Sequence, residues 1–300
     1  MPMNSINTNV GAMVALQSLS QTQASLATTQ NRINTGLKIA SAKDNGAIWA
    51  IAQTEKAQAS SLDAVTNSLN NGKSVLDTTI QAGGQLTDIL NQMRQKALAA
   101  SDAGIDDNSR TQYQSEYTKL AQSYANVVAS ASFNGVNLID ASTGNVAAIG
   151  SSDGSIKITS AHNNLNAATI FATDAALTVT AGTVTAPATT ATVDTAATAT
   201  SWADGAGTAA AASLAVVDAA IKTVTQGLSG FGVDSKAVDN QITLVSQLQD
   251  SLNTGIGNLV DANLAQESAN LQALQTKQQL GVQALSIANQ SSGILLGLFR

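Results

Sequence analysis

"AMVALQSLSQTQASLATTQNRINTGL", residues Ala12 to Leu37, places Ala12, Leu19, Leu26 and Ile33 at intervals of seven. Seven residues nearly complete two helical turns, so these side chains share one stripe, and an apolar stripe of that period needs a second helix to cover it. Leu16, Gln23, Gln30 and Leu37 supply a parallel seam weakened by two glutamines. The far end of the chain has the same period. Leu264, Leu271, Gln278 and Leu285 form one seam there, and Val260, Glu267, Leu274, Gly281 and Ala288 a weaker one. Polar residues at such positions lower stability but fix register. The pattern predicts that the two chain ends pair as one coiled coil.

Between the ends lie longer helical patterns. Leu62, Val65, Leu69, Leu76, Ile80, Leu86, Leu90 and Met93 keep a helical period, interrupted at Gly83-Gly84, where each glycine costs about 1 kcal/mol against alanine. Tyr113, Tyr117, Leu120, Tyr124 and Val127 follow, a stripe that reads as packing. Val238, Ile242, Val245, Leu248, Leu252, Ile256 and Leu259 give a further seam. Asp44-Asn45-Gly46 is a turn signal after the first seam, Asn134-Gly135 is another, and "GLSGFG" at Gly227 to Gly232 reads as a helix-to-helix turn. From there the fold class is mainly α: an elongated helical bundle and coiled coil made from both chain ends, with a small β-rich insertion in the middle. The insertion is read from "GSIKITS" and the Thr-rich stretch after Leu177, with Ile156/Ile158 and Leu177/Val179 alternating. The expected segments are 1–43 and 260–300 as the two halves of a coiled coil, 44–140 and 213–259 as the halves of a helical wall, and 141–212 as the insertion.

Composition removes several functions. There is no cysteine and a single histidine, His162, which leaves no thiolate site and few zinc sites; no metal, cofactor or catalytic residue is expected. His162 reads as an exposed loop residue, and no H-E-x-x-H pattern accompanies it. A net charge of −6 runs against nucleic acid as a partner. No stretch approaches the roughly 20 apolar residues of a membrane span, so no membrane insertion is expected. The first residues lack the charged and apolar regions of a cleaved secretory signal, leaving an intracellular protein or one exported by another route.

The last stretch, "LGVQALSIANQSSGILLGLFR", gathers Leu295, Leu296 and Phe299 where apolar content normally fades. Something must cover them.

"INTN" (Ile6 to Asn9), "RINTGLKIASAKDNGAIWAIA" (Arg32 to Ala52), "SFNGVNLI" (Ser132 to Ile139) and "GVQALSIANQSSGILLGLFR" (Gly281 to Arg300) resemble the terminal signatures of bacterial flagellin. The resemblance implies a secreted subunit that assembles with copies of itself into the helical flagellar filament used for swimming. It implies terminal helices lining an export channel, with Leu16, Leu19, Leu26, Ile33, Leu264, Leu271, Leu285, Leu295, Leu296 and Phe299 in the filament core. A flagellar export chaperone and the hook-associated and cap proteins are the further partners it implies. Competing readings are a helical bundle that does not self-associate, the hook-filament junction protein, and a cell-surface polysaccharide-binding protein reusing the fold. The last would need an aromatic groove, and Phe171 and Trp202 are the insertion's only aromatics.

Overall fold

A computed structural model describes residues 9–140, 144–174, 177, 202 and 207–297, with backbone alone for 291–297. Helix α1 (Val10–Thr35) starts where the Asn9 side chain accepts from the Ala12 N–H at 3.0 Å, and it ends at Gly36, whose φ of 70° is left-handed. These are ordinary N-cap and C-cap chemistry. Helix α2 (Gly46–Ala100) opens with Asn45 accepting from the Ile48 N–H. Helix α3 (Asp107–Ser130) is capped by Asp106, which accepts from the Ser109 N–H at 2.9 Å. An antiparallel hairpin follows, β1 (Val146–Ile149) against β2 (Lys157–Ser160), in register Val146 to Ser160. The short α4 (Ala167–Ile170) and two long helices, α5 (Thr208–Val260) and α6 (Leu264–Gly297), complete the order.

The chain divides into two compact units: Met1–Ser60 with Gln249–Arg300, and Ser61–Leu248. In the first, α1 and α6 run antiparallel. At the connected end the Lys38 N–H donates to the Val260 carbonyl at 2.7 Å and the Ala262 N–H to the Gly36 carbonyl at 2.9 Å. Ile39, Ala52, Ile256 and Val260 make a small core there, with Leu37, Ile48, Trp49 and Leu259 against it. The Asp44 turn is as the sequence implies: its carboxylate accepts from the Ser41 N–H and hydroxyl and from the Ala40 N–H. Hydrogen bonds from Ser41 hold that carboxyl below the usual carboxylate range.

The second unit is built on a dense core. Leu69, Leu86, Leu90 and Met93 of α2 are fully buried, with Tyr117 and Tyr124 of α3 and Val217 and Val224 of α5. Each such side chain contributes roughly 1.5–3 kcal/mol when fully buried. The hairpin sits on the helices through Ser160 to Asp234 at 2.7 Å, Gln241 to the Gly150 carbonyl at 2.6 Å, and the Ile149 N–H to Ser68 at 3.0 Å. Asn134 and Gly135 have φ of 51° and 79°, the left-handed pair of the predicted tight turn, closed by Phe133 and Val136. The far end of α2 is closed by Arg110, buried, whose guanidinium donates to the Ala100, Asp102 and Ile105 carbonyls. A cation among the last carbonyls of a helix suits the macrodipole.

Four expectations change. Gly83-Gly84 does not interrupt α2. A Cβ on Gly83 would stand 2.2 Å from Leu228 Cδ1, so the glycine exists to let α5 approach. "GLSGFG" is no turn, because α5 runs through it unbroken. Gly227 there makes room for Asn163, whose Nδ2 would lie 2.5 Å from an added Cβ. His162 is half-buried rather than exposed, its ring against the Asp140 carbonyl and its N–H on Asn145. Finally, α5 holds a window of mean hydropathy 1.3, apolar and long enough by composition alone to cross a membrane; its Val217, Val224 and Phe231 are buried within the second unit. Of the β pattern after Leu177, Val179 lies outside the described residues.

Candidate filament interface

The α1–α6 pair can be followed from its connected end outwards. Arg32 Nη1 donates to Glu267 Oε1 at 3.2 Å. A Cβ on Gly281 would meet Leu19 Cδ1 at 3.3 Å, and one on Gly11 would lie 3.8 Å from the Ala288 Cβ. Asn9 Nδ2 donates to the Ala288 carbonyl at 2.7 Å. These contacts set one antiparallel register along the whole pair.

On α6 the less exposed positions are Glu267, Leu271, Leu274, Gln278, Gly281, Leu285 and Ala288, the two seams read from the sequence apart from Leu264, which is exposed. On α1 they are Ala12, Ala15, Leu19, Thr22, Leu26, Thr29, Arg32 and Ile33. The first seam stands; the second is displaced by one residue, to Ala15, Thr22 and Thr29 in place of Leu16, Gln23 and Gln30. Small side chains let the helices approach closely, as the Leu19–Gly281 contact requires. Leu16 is left 59% exposed.

The ten residues expected in the filament core therefore fall into three groups. Leu19, Leu26, Ile33, Leu271 and Leu285 face the partner helix of the same chain. Leu16 and Leu264 lie outside the seam and are exposed. The side chains of Leu295 and Leu296, and all of Phe299, lie outside the described residues. Sequence reasoning missed another set. Val10, Met13 and Val14 on α1 and Leu280, Val282 and Ile287 on α6 are all more than half exposed, Ile287 at 67%. In this register they gather at the Asn9–Ala288 end of the pair. The signal was available: these apolar residues stand out of phase with the seams, so a second surface must want them.

The remaining chemistry is structural. Tyr117 donates to Asp174 Oδ2, and Ser213 donates to Asp174 Oδ1 at 2.7 Å, all three buried. Burial pushes the Tyr117 phenol well above its ordinary range, with Asp174 adding to the rise. Trp202 packs on Tyr117 in a tilted pair with centroids 5.0 Å apart, and Phe171 meets Tyr124 edge-on at 5.2 Å. Both insertion aromatics are thus core residues, and neither offers a face to a sugar, which removes the support for the polysaccharide-binding alternative. Among the described residues no group of three or more His, Cys, Asp or Glu could hold a metal.

The bacterial flagellin N-terminal helical region matches residues 6–143, and the C-terminal helical region matches 214–299. Flagellin FljK of Caulobacter vibrioides is 47% identical over 100% of both chains. Flagellin FljM of the same organism is 45% identical over 100% of both, and a flagellin of Brucella melitensis is 34% identical over 99% of this chain and 100% of its own. A helix pair assembled from both chain ends, with apolar residues on its outer faces, thus coincides with matches to both terminal regions: the chain belongs to the bacterial flagellin family and is a structural subunit of the extracellular, self-assembling flagellar filament.

Proposed function

We propose that residues 1–43 and 260–300 form the inner coiled coil of the filament, 44–140 with 213–259 the helical wall around it, and 141–212 the outward-facing insertion. Neighbouring copies cover Val10, Met13, Val14 and Leu16 on one helix and Leu280, Val282 and Ile287 on the other, joined by Leu264, Leu295, Leu296 and Phe299. The observation that carries this reading is the concentration of exposed large apolar side chains at one end of the α1–α6 pair. A heterologous contact that does not close generates a helix rather than a ring. The subunit works by packing alone, without catalysis. A flagellar export chaperone and the hook-associated and cap proteins are its remaining partners.

Amide exchange tests the reading. In the monomer, α1 and α6 lack the contacts that would cover their outer faces, so their amides exchange fast; in the filament the same amides slow strongly while those of Leu86 to Met93 change little. Equal protection of α1 and α6 in both states would contradict it.

A further inference from the structure

We infer that Arg32 and Glu267 set the register in which α1 and α6 pair within a subunit, and so determine which faces the subunit offers to its neighbours. Among the described residues they are the only charged ones at seam positions. Every other seam position, from Ala12 to Ile33 on α1 and from Leu271 to Ala288 on α6, is apolar or neutral. Such a seam repeats every seven residues and by itself tolerates a slip of one heptad. The charged pair does not. In the observed register Arg32 meets Glu267. One heptad either way sets Arg32 against Leu274 or Val260, and Glu267 against Ser25 or Ile39. Each slip leaves Glu267, whose side chain is 12% exposed, in the seam without its cation, while Arg32 loses its carboxylate partner.

Two further observations support the assignment. Arg32 Nε and Glu267 Oε2 are buried without a hydrogen-bond partner, so each group depends on the other for its charge compensation. Arg32 also lies in the last turn of α1 and Glu267 in the first turn of α6, each sign matched to its helix end, which favours this orientation of the pair over the exchanged one. The pair stands at the connected end, beside the Leu37–Asp261 bridge.

The absence of cysteine makes the register readable by disulfide trapping in assembled filaments. Gly11→Cys with Ala288→Cys reports the observed register, because the two Cβ positions are 3.8 Å apart, within disulfide reach. Ser18→Cys with Ala288→Cys reports the slip that sets Arg32 against Leu274, and Gly11→Cys with Gly281→Cys the opposite slip; in the observed register each of these pairs is displaced by about 10 Å along the helix and cannot react. With Arg32 and Glu267 in place, the first pair should oxidise within one chain and exceed either slipped pair by at least about tenfold, equivalent to ~1.4 kcal/mol. Adding Arg32→Met and Glu267→Met, which keeps an apolar seam, should let a slipped product rise to rival the first. Exchanging the charges, Arg32→Glu with Glu267→Arg, should restore most of the preference. The inference rests on α1 and α6 pairing inside one subunit. A product linking two chains would refute that pairing itself. Retention of the first product alone in the methionine variant would refute the register role, whereas loss of assembly in that variant, restored by the exchanged charges, would support it.

Discussion

The two units invest their apolar residues in opposite ways. In Ser61–Leu248 the large side chains point inwards: Leu69, Leu86, Leu90, Met93, Tyr117, Tyr124, Phe171 and Trp202 are all at or near zero exposure. In the α1–α6 pair the seam is made largely of Ala, Thr, Gly and half-buried Leu, while Val10, Met13, Val14, Leu280, Val282 and Ile287 face outwards. A segment whose largest apolar groups lie outside cannot draw its stability from its own fold. The difference teaches that one unit is a finished domain and the other a half-finished interface. Substitutions should therefore separate folding from assembly.

The sharpest break would come in the finished unit. Leu90 is fully buried on α2, and Leu90→Ala should cost 2–5 kcal/mol, about what a leucine cavity costs in a core that relaxes only partly. Thermal unfolding of the monomer should fall by several degrees, and polymer should weaken only as a consequence. In the α1–α6 pair the sign pattern reverses. Val14→Ser with Ile287→Ser should leave the monomer transition within about 0.5 kcal/mol, as exposed substitutions do. The critical concentration for polymerisation should rise, by up to roughly tenfold or more per side chain if each loses ~1.5 kcal/mol or more of burial. Sedimentation of polymer beside calorimetry of monomer decides both. A lowered monomer transition for the second variant would erase the distinction between the units.

How much of this was legible depends on which force set each feature. The α6 seams were readable residue by residue, because Leu271, Leu274 and Leu285 are large and periodic. The α1 second seam was misread by one position: Leu16 and Leu37 attracted the reading, whereas the helices needed small residues, Ala15, Thr22 and Thr29, to approach. Local turn chemistry transferred well where it acted locally, at Asp44-Asn45-Gly46 and at Asn134-Gly135. It failed at Gly83-Gly84 and at Gly227 to Gly232, where Gly83 and Gly227 answer to tertiary neighbours, Leu228 and Asn163, that lie far away in sequence, while the other glycines face open space. The anchoring of the insertion by Asp174, Leu165 and Trp202 was invisible for the same reason. Tyr124 donates to the Leu165 carbonyl across 41 positions, and no periodicity announces such a contact.

The adjacent glycines of α2 offer the finest test, because helix propensity treats them alike and packing does not. Both lie inside α2, where replacing glycine by alanine should gain up to ~1 kcal/mol from reduced backbone entropy of the unfolded chain. At Gly84 an added Cβ meets nothing within 4 Å, so Gly84→Ala should realise that gain, roughly 0.5–1 kcal/mol, and raise the monomer transition by a few degrees. At Gly83 the same methyl would overlap Leu228, with Cδ1 at 2.2 Å and Cγ at 2.8 Å. The Cδ1 atom could swing away, but the Cγ atom moves only if the α5 backbone shifts or the leucine leaves its rotamer. Overpacking of that kind costs about 1–3 kcal/mol, which exceeds the propensity gain, so Gly83→Ala should be net destabilising. A second change relieves the clash: Gly83→Ala with Leu228→Ala removes the overlapping atoms, and the double variant should be less destabilised than the sum of the two single ones. Calorimetry of the four monomers gives the answer. Equal stabilisation at Gly83 and Gly84 would mean that α2 and α5 do not approach closely at Leu228, and that the second unit is looser than its buried core implies.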